Sequence, residues 1–147
     1  MKEWVVDTWV LATCNDTDCG GCVDCADFLT DLLKKGKLCL DHEGDIYKEY
    51  DPYIKPRTHV FWWWHKMIGQ VGHLSYQSNK LAEKHERRLV NKLHFDSDDI
   101  KFVGVASRSI DKIIVSGDSD YNQNVCKYLE GMLGIQVMNP SFASNNI

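Results

Sequence analysis

Apolar positions along the chain follow two periods, one for strands and one for helices. Trp4-Val5-Val6-Asp7-Thr8-Trp9-Val10-Leu11 is nearly continuous apolar sequence and predicts a first strand running into an acid, Asp7. Phe28, Leu29, Leu32 and Leu33 recur at helical spacing and predict a helix over Cys25–Lys35, with Asp24 as N-cap and Gly36 as its stop. Lys37-Leu38-Cys39-Leu40-Asp41 reads as a short strand, and Ile46–Tyr50 as a helix ending before Pro52. His59–Gln70 is an aromatic helix on which Phe61, Trp64 and Ile68 share the core face, a face that Trp62 and Trp63 cannot both join. A long helix is predicted over Asn79–Leu93. Another begins near Asp99, capped by Ser97 or Asp98, with Phe102, Val103 and Ala106 inward. Ile113-Ile114-Val115 is a β-branched run of the kind buried on both faces of a parallel sheet. Asn122–Gly131 reads as a helix carrying Val125, Cys126, Leu129 and Met132 inward, and Ile135–Pro140 as a closing strand. This alternation predicts a single parallel-sheet α/β domain over residues 1–141 and a flexible tail over 142–147.

Composition narrows the class. Over 147 residues, 44% hydrophobic and 26% charged content is that of a globular domain with one core. No run of about 20 apolar residues predicts a membrane span. Met1-Lys2-Glu3-Trp4 carries an acid at once and no signal-like apolar region, so a cytoplasmic location with reduced thiols is expected. The net charge of −4 does not advertise nucleic-acid binding, although acids gathered around a metal would distort that sum.

The candidate chemistry is acidic. Gly117 turns the chain after the Ile113–Val115 strand, and Asp118 and Asp120 follow at the carboxyl end, where open α/β sheets place ligands. Asp7 ends the first strand at the same edge, and Glu49 adjoins the Ile46/Tyr50 face. Each has a bland reading as a solvated or capping acid. Cys14, Cys19, Cys22 and Cys25 are spaced C-x4-C-x2-C-x2-C. They could form a tetrahedral zinc site or stand as small thiols in a loop. Cys22 and Cys25 straddle a helix start, so one ion reaches all four with difficulty, and the cluster is expected to be dispensable for chemistry. Lys80, Lys84, Arg87, Arg88 and Lys92 recur at steps of three and four, a basic stripe that either tracks phosphates or only solvates its helix.

In order, the chain holds an apolar strand ending in Asp7-Thr8, Leu38-Cys39-Leu40-Asp41 leading to Ile46-x-x-Glu49-Tyr50, Phe95-Asp96-x-x-Asp99-x-Lys101-Phe102-Val103-x-Val105-Ala106, and a strand ending in Asp118-Ser119-Asp120. From about Val5 to Val137 this resembles a PIN domain, the fold of many metal-dependent ribonucleases and bacterial toxin nucleases. The resemblance implies a three-layer α/β/α sandwich around a mainly parallel sheet. It implies a catalytic quartet of Asp7, Glu49, Asp99 and Asp118, with Asp7, Asp99, Asp118 and Asp120 holding Mg²⁺ or Mn²⁺. Single-stranded or looped RNA is the expected substrate, DNA the alternative, and an antitoxin or a second copy an expected partner. Trp9 stands where the family usually has Asn, which keeps open a binding module with weakened catalysis.

Overall fold

The computed structural model describes residues 1–147. Its elements are β1 (Glu3–Val6), α1 (Thr8–Asn15), α2 (Cys22–Lys35), β2 (Lys37–Asp41), α3 (Asp45–Tyr50), α4 (His59–Ile68), β3 (Leu74–Gln77), α5 (Glu83–Arg87), α6 (Ile100–Arg108), β4 (Ile113–Val115), α7 (Gln123–Leu133), β5 (Gln136–Met138) and α8 (Pro140–Asn146). The five strands form one all-parallel sheet in the order β3-β2-β1-β4-β5. β1 to β3 step one way and β4 and β5 the other. Because parallel crossovers are right-handed, the reversal sends helices to both faces. α1, α2, α4 and α8 pack on one another, while α6 lies against β1, β2 and β4. His85 of α5 bonds Tyr128 of α7 on that second side. The result is an α/β/α sandwich whose strand order reverses between β1 and β4, where such sheets open a crevice at their carboxyl ends.

Buried side chains follow from the periods. β1 is buried along its whole length, with Trp4 meeting Phe28 of α2 edge-on at 5.8 Å. Phe28, Leu29, Leu32 and Leu33 form the inner face of α2, and Ile46 and Tyr50 that of α3, as their spacing predicts. Asp41, at the end of β2, is committed to structure. Its carboxylate accepts from Asp45 N at 2.9 Å, Ile46 N at 3.1 Å and Asn79 Nδ2 at 2.7 Å, and so starts α3.

The structure departs from the predicted elements in several places. The first strand stops at Val6, and Asp7 caps α1, so Thr8 to Leu11 are helical. α2 starts at Cys22 with Gly21 at its N-cap; Asp24 sits in its first turn, where a carboxylate meets the helix dipole. On α4 the buried stripe is Val60, Trp63, Trp64 and Met67, the better i, i+3, i+4, i+7 set, while Ile68 is exposed. Asn79–Leu93 is not one long helix: Asn79 to Ala82 are non-helical, and a wider π-helical turn over Arg88–Lys92 continues α5. Neither Ser97 nor Asp98 caps the turn before α6. Asp96 does, accepting from Asp98 N at 2.9 Å. Met132 faces outward on α7. Where a flexible tail is expected, α8 forms, with Asn139 accepting from Phe142 N, Pro140 in its first turn and Ala143 buried. The edge strand β3 has no counterpart among the predicted elements. No helix is long and apolar enough to cross a membrane.

Candidate functional site

At the reversal of strand order, the carboxyl ends of β1 and β4 open into a cleft of about 320 Å³ lined by Asp7, Thr8, Trp9, Glu49, Asp99 and Asp118, with Asp96 and Asp98 at its margin. Parallel pairing of Val6 with Val115 brings the two strand ends level, and Asp7 N donates to Val115 O at 3.0 Å. Ser116, the residue after β4, donates from its hydroxyl to Asp7 Oδ2 at 2.6 Å and accepts from Asp118 N at 3.0 Å. One buried hydroxyl thus ties the two strand-end acids together.

α3 brings in Glu49 from the neighbouring crossover. The Thr8 hydroxyl donates to Glu49 Oε2, and Lys101 Nζ bonds Glu49 Oε1 at 3.0 Å. The Tyr50 hydroxyl, one residue on, donates to Val6 O and seats α3 on the end of β1. Asp99 closes the site from the turn that starts α6.

The ligand oxygens of Asp7, Glu49 and Asp99 all lie within 4.8 Å of one another, and those of Asp96, Asp99 and Asp120 form a second such group. Asp99 belongs to both. The four residues of the predicted quartet line one cleft. The predicted metal set of Asp7, Asp99, Asp118 and Asp120 does not close as one group: Glu49 takes the place of Asp118 in the first, and Asp96 joins Asp120 in the second. Asp118 turns one oxygen to its own loop, accepting from Asp120 N at 3.0 Å.

Crowding of like charge shows in the proton affinities. Burial pushes the Asp7 carboxyl up to about 6, with Ser116 pulling it down and Asp118 and Glu49 adding to the rise. Burial raises Asp99 to about 7, and Asp7, Glu49, Asp96 and Asp118 push the same way. Tyr121 is buried beside these acids with no partner for its hydroxyl, and burial together with Asp7, Asp99, Asp118 and Asp120 holds that hydroxyl well above the usual tyrosine range. Hard carboxylate oxygens that repel one another fit Mg²⁺ or Mn²⁺ and do not fit a soft, thiol-seeking ion. A divalent cation would relieve the charge that burial and proximity concentrate here.

Thr8, Ser116, Lys101 and Asp96 escape the sequence reading as site residues. Thr8 carries a signal, since it immediately follows the strand-end Asp7. Lys101 had one in its place two residues after Asp99.

The remaining predicted groups do not join this cleft. Cys14, Cys19, Cys22 and Cys25 are neighbours near the start of α2, but their sulfurs form no group as tight as the carboxylates. Burial pushes Cys14 up to about 11 and Cys25 up to about 12, which keeps both thiols protonated. Lys80, Lys84, Arg87, Arg88 and Lys92 are all exposed. They follow two backbone segments instead of one helix face, and Arg87 pairs with Glu83. Lys80 lines a separate cleft that it shares with Asp98 and Lys101.

Compared with known proteins, the chain matches no family model, no curated protein and no solved structure.

Proposed function

We propose that this protein is a metal-dependent endonuclease that hydrolyses phosphodiester bonds, with single-stranded or looped RNA as its substrate. The observation that carries the reading is the convergence of Asp7, Glu49 and Asp99, with Asp118 beside them, at the carboxyl end of a doubly wound sheet. The resemblance to PIN domains supports the same chemistry. Asp7, Glu49 and Asp99 would hold Mg²⁺ or Mn²⁺, and Asp96 and Asp120 would extend the site around the shared Asp99. When bound, such an ion supplies Lewis-acid polarisation of a phosphate and a more acidic water.

The chain's own groups prepare that chemistry. Ser116 orients Asp7, and Thr8 and Lys101 fix the two oxygens of Glu49. Lys101 also puts positive charge on the rim of an otherwise acidic cleft, where it would meet an incoming phosphate. Trp9 and Tyr53 line the cleft beside the acids. Unpaired strands suit a recessed site because a duplex holds its phosphates away from it. A cytoplasmic toxin-type or defence ribonuclease, restrained by an antitoxin, fits this reading. Trp9 in the wall of the cleft favours a second one, a nucleic-acid-binding module with weakened cleavage.

The test compares wild type with Asp118→Asn on structured RNA, single-stranded RNA and DNA, with Mg²⁺ or Mn²⁺ and with chelator. Metal-dependent cleavage of single-stranded RNA that Asp118→Asn abolishes is the expected result. Binding without cleavage of any of the three would replace the nuclease with the binding module. A melting curve indifferent to excess Mg²⁺ and Mn²⁺ would remove the metal from the account.

A further inference from the structure

A second cavity, of about 400 Å³, opens at the same end of the sheet, over β2 and the edge strand β3. Its walls are Leu40, His42, Tyr47, Trp64, Ile68 and Tyr76, and no charged side chain competes for its interior, because Asp41 at its floor is already spent on three donors. The rings are paired and flat. Tyr47 stacks on Trp64 with centroids 5.4 Å apart and planes at 24°, and His42 stacks on Tyr76 at 6.0 Å and 20°. Trp64 is buried and backs its partner, whereas Tyr47 and Tyr76 are 44% and 47% exposed, so each offers a ring to an incoming molecule. Their register explains the placement: Leu40 pairs with Tyr76 across β2 and β3, so both project on the face that α4 covers.

We propose that this cavity is a nucleobase subsite, in which one unpaired base of the substrate strand stacks on Tyr76 or Tyr47. The proposal rests on the nuclease reading for its orientation and on its own geometry for the ligand. Three features select a base over another flat or apolar occupant. Two backed aromatic faces without hydrogen-bonding demands suit a planar heterocycle and tolerate any of the bases. α3 is shared: Tyr47 enters this cavity from the same helix whose Glu49 enters the acidic cleft. The spacing is also right, since the cavity over β2–β3 and the cleft between β1 and β4 are two strand spacings apart, roughly 10 Å. That distance puts the stacked base on the nucleotide next to the cleaved linkage or on the one after it. The backbone would then cross the end of the sheet between cavity and cleft.

Binding is measured on the full chain with a short single-stranded oligoribonucleotide in chelator and with a duplex of the same sequence, and cleavage is measured separately with Mg²⁺ or Mn²⁺. Binding is read by quenching of tryptophan emission and by chemical-shift changes of the Trp64 indole. Wild type should bind the single strand in preference to the duplex. Tyr76→Ala and Tyr47→Ala should each weaken that binding about tenfold or more, as loss of one base stack does. Tyr76→Phe keeps the ring and should bind as wild type does. It also separates stacking from loss of the edge strand's packing. Asp118→Asn serves as the control for the other reading: it should abolish cleavage and leave this binding intact. If the single strand binds and neither tyrosine matters, the subsite is overturned while the nuclease stands. If both tyrosines matter and no variant or wild type cleaves, the subsite stands and the nuclease falls. Self-association that Tyr76→Ala dissolves, with no strand bound, would assign the cavity to a second copy and overturn the proposal.

Discussion

The indole of Trp9 lies so close to Gly117 that a Cβ built on Gly117 would stand 2.3 Å from the ring carbon Cη2. Trp9, two residues after Asp7, and Gly117, just before Asp118, are therefore locked by contact: a large ring on α1 requires a residue without a side chain after β4. Gly117→Ala should force the ring aside and lower stability by about 1–3 kcal/mol, as overpacking does. In a Trp9→Ala background the same substitution should cost little, because the clash is gone. Urea denaturation of the two single variants and the double variant measures that coupling. Equal penalties in both backgrounds would show that Gly117 is needed for its backbone and not for the indole.

Asp7 and Asp99 give a pH dependence with a definite sign. Both carboxyls are raised in the folded protein, to about 6 and about 7, from the ordinary value of 3.8. Between those limits the native state holds more protons than the unfolded chain, so stability in metal-free buffer falls as pH rises. The contribution is fully present below about pH 4 and is lost by about pH 7. Divalent metal competes for the same oxygens, so the rise in Tm from excess Mg²⁺ or Mn²⁺ should be larger at pH 8 than at pH 5. Asp99→Asn removes the repulsion and should raise the metal-free Tm at pH 8 by roughly 2–5 °C while abolishing most of the metal effect. Differential scanning fluorimetry across pH, with chelator and with metal, reads both.

Ser116 holds Asp7 and the loop of Asp118 with one hydroxyl, at 2.6 Å and 3.0 Å. Ser116→Ala should leave the fold in place, cost about 1–2 kcal/mol for the lost bonds, and weaken divalent-metal affinity about tenfold as an oriented carboxylate is released. Calorimetric titration with Mn²⁺ provides the check, and unchanged affinity would make Ser116 a packing residue only.

The basic segment divides. Arg87 is engaged with Glu83, whereas Arg88 has no such partner in α5. Arg88→Glu should weaken binding of single-stranded RNA at low salt more than Arg87→Glu, and the double variant should flatten the salt dependence by roughly one unit of slope per lost phosphate contact. Metal affinity should not change. RNA binding measured from low to moderate salt decides between a phosphate-tracking surface and simple solvation.

Much of this architecture is legible in the chain because its strongest signals are local. The β-branched run at Ile113–Val115 marks a buried strand, and Ile46 with Tyr50 sets the inner face of α3, whereas Glu49 on that segment alone reads as an ordinary exposed helix acid. Asp99 is reached only through the resemblance, whose Lys101-Phe102-Val103-x-Val105-Ala106 register favours it over Asp96 and Asp98. What was hidden depends on partners distant in sequence. Ser116 acts on Asp7 from 109 positions away, and no local pattern marks it. β3 is a short edge strand, Leu74-Ser75-Tyr76-Gln77, with too few apolar residues to stand out. The basic residues looked like one helix because charge periodicity is blind to a change in backbone pitch at Arg88. α8 carries the helix-start signal Asn139-Pro140, but the strand run Ile135–Met138 leads directly into it and masks the boundary.

The reversal of strand order has a consequence for synthesis. β1 takes β2 as its neighbour on one side early in the chain, but its other neighbour, β4, is made only after residue 112. Until then the emerging polypeptide carries Asp7 and Glu49 beside an open hydrogen-bonding edge, and lacks Ser116 and Asp118 altogether. The acidic cleft of Asp7, Glu49, Asp99 and Asp118 is therefore incomplete on the growing polypeptide until Ser116 and Asp118 have been added.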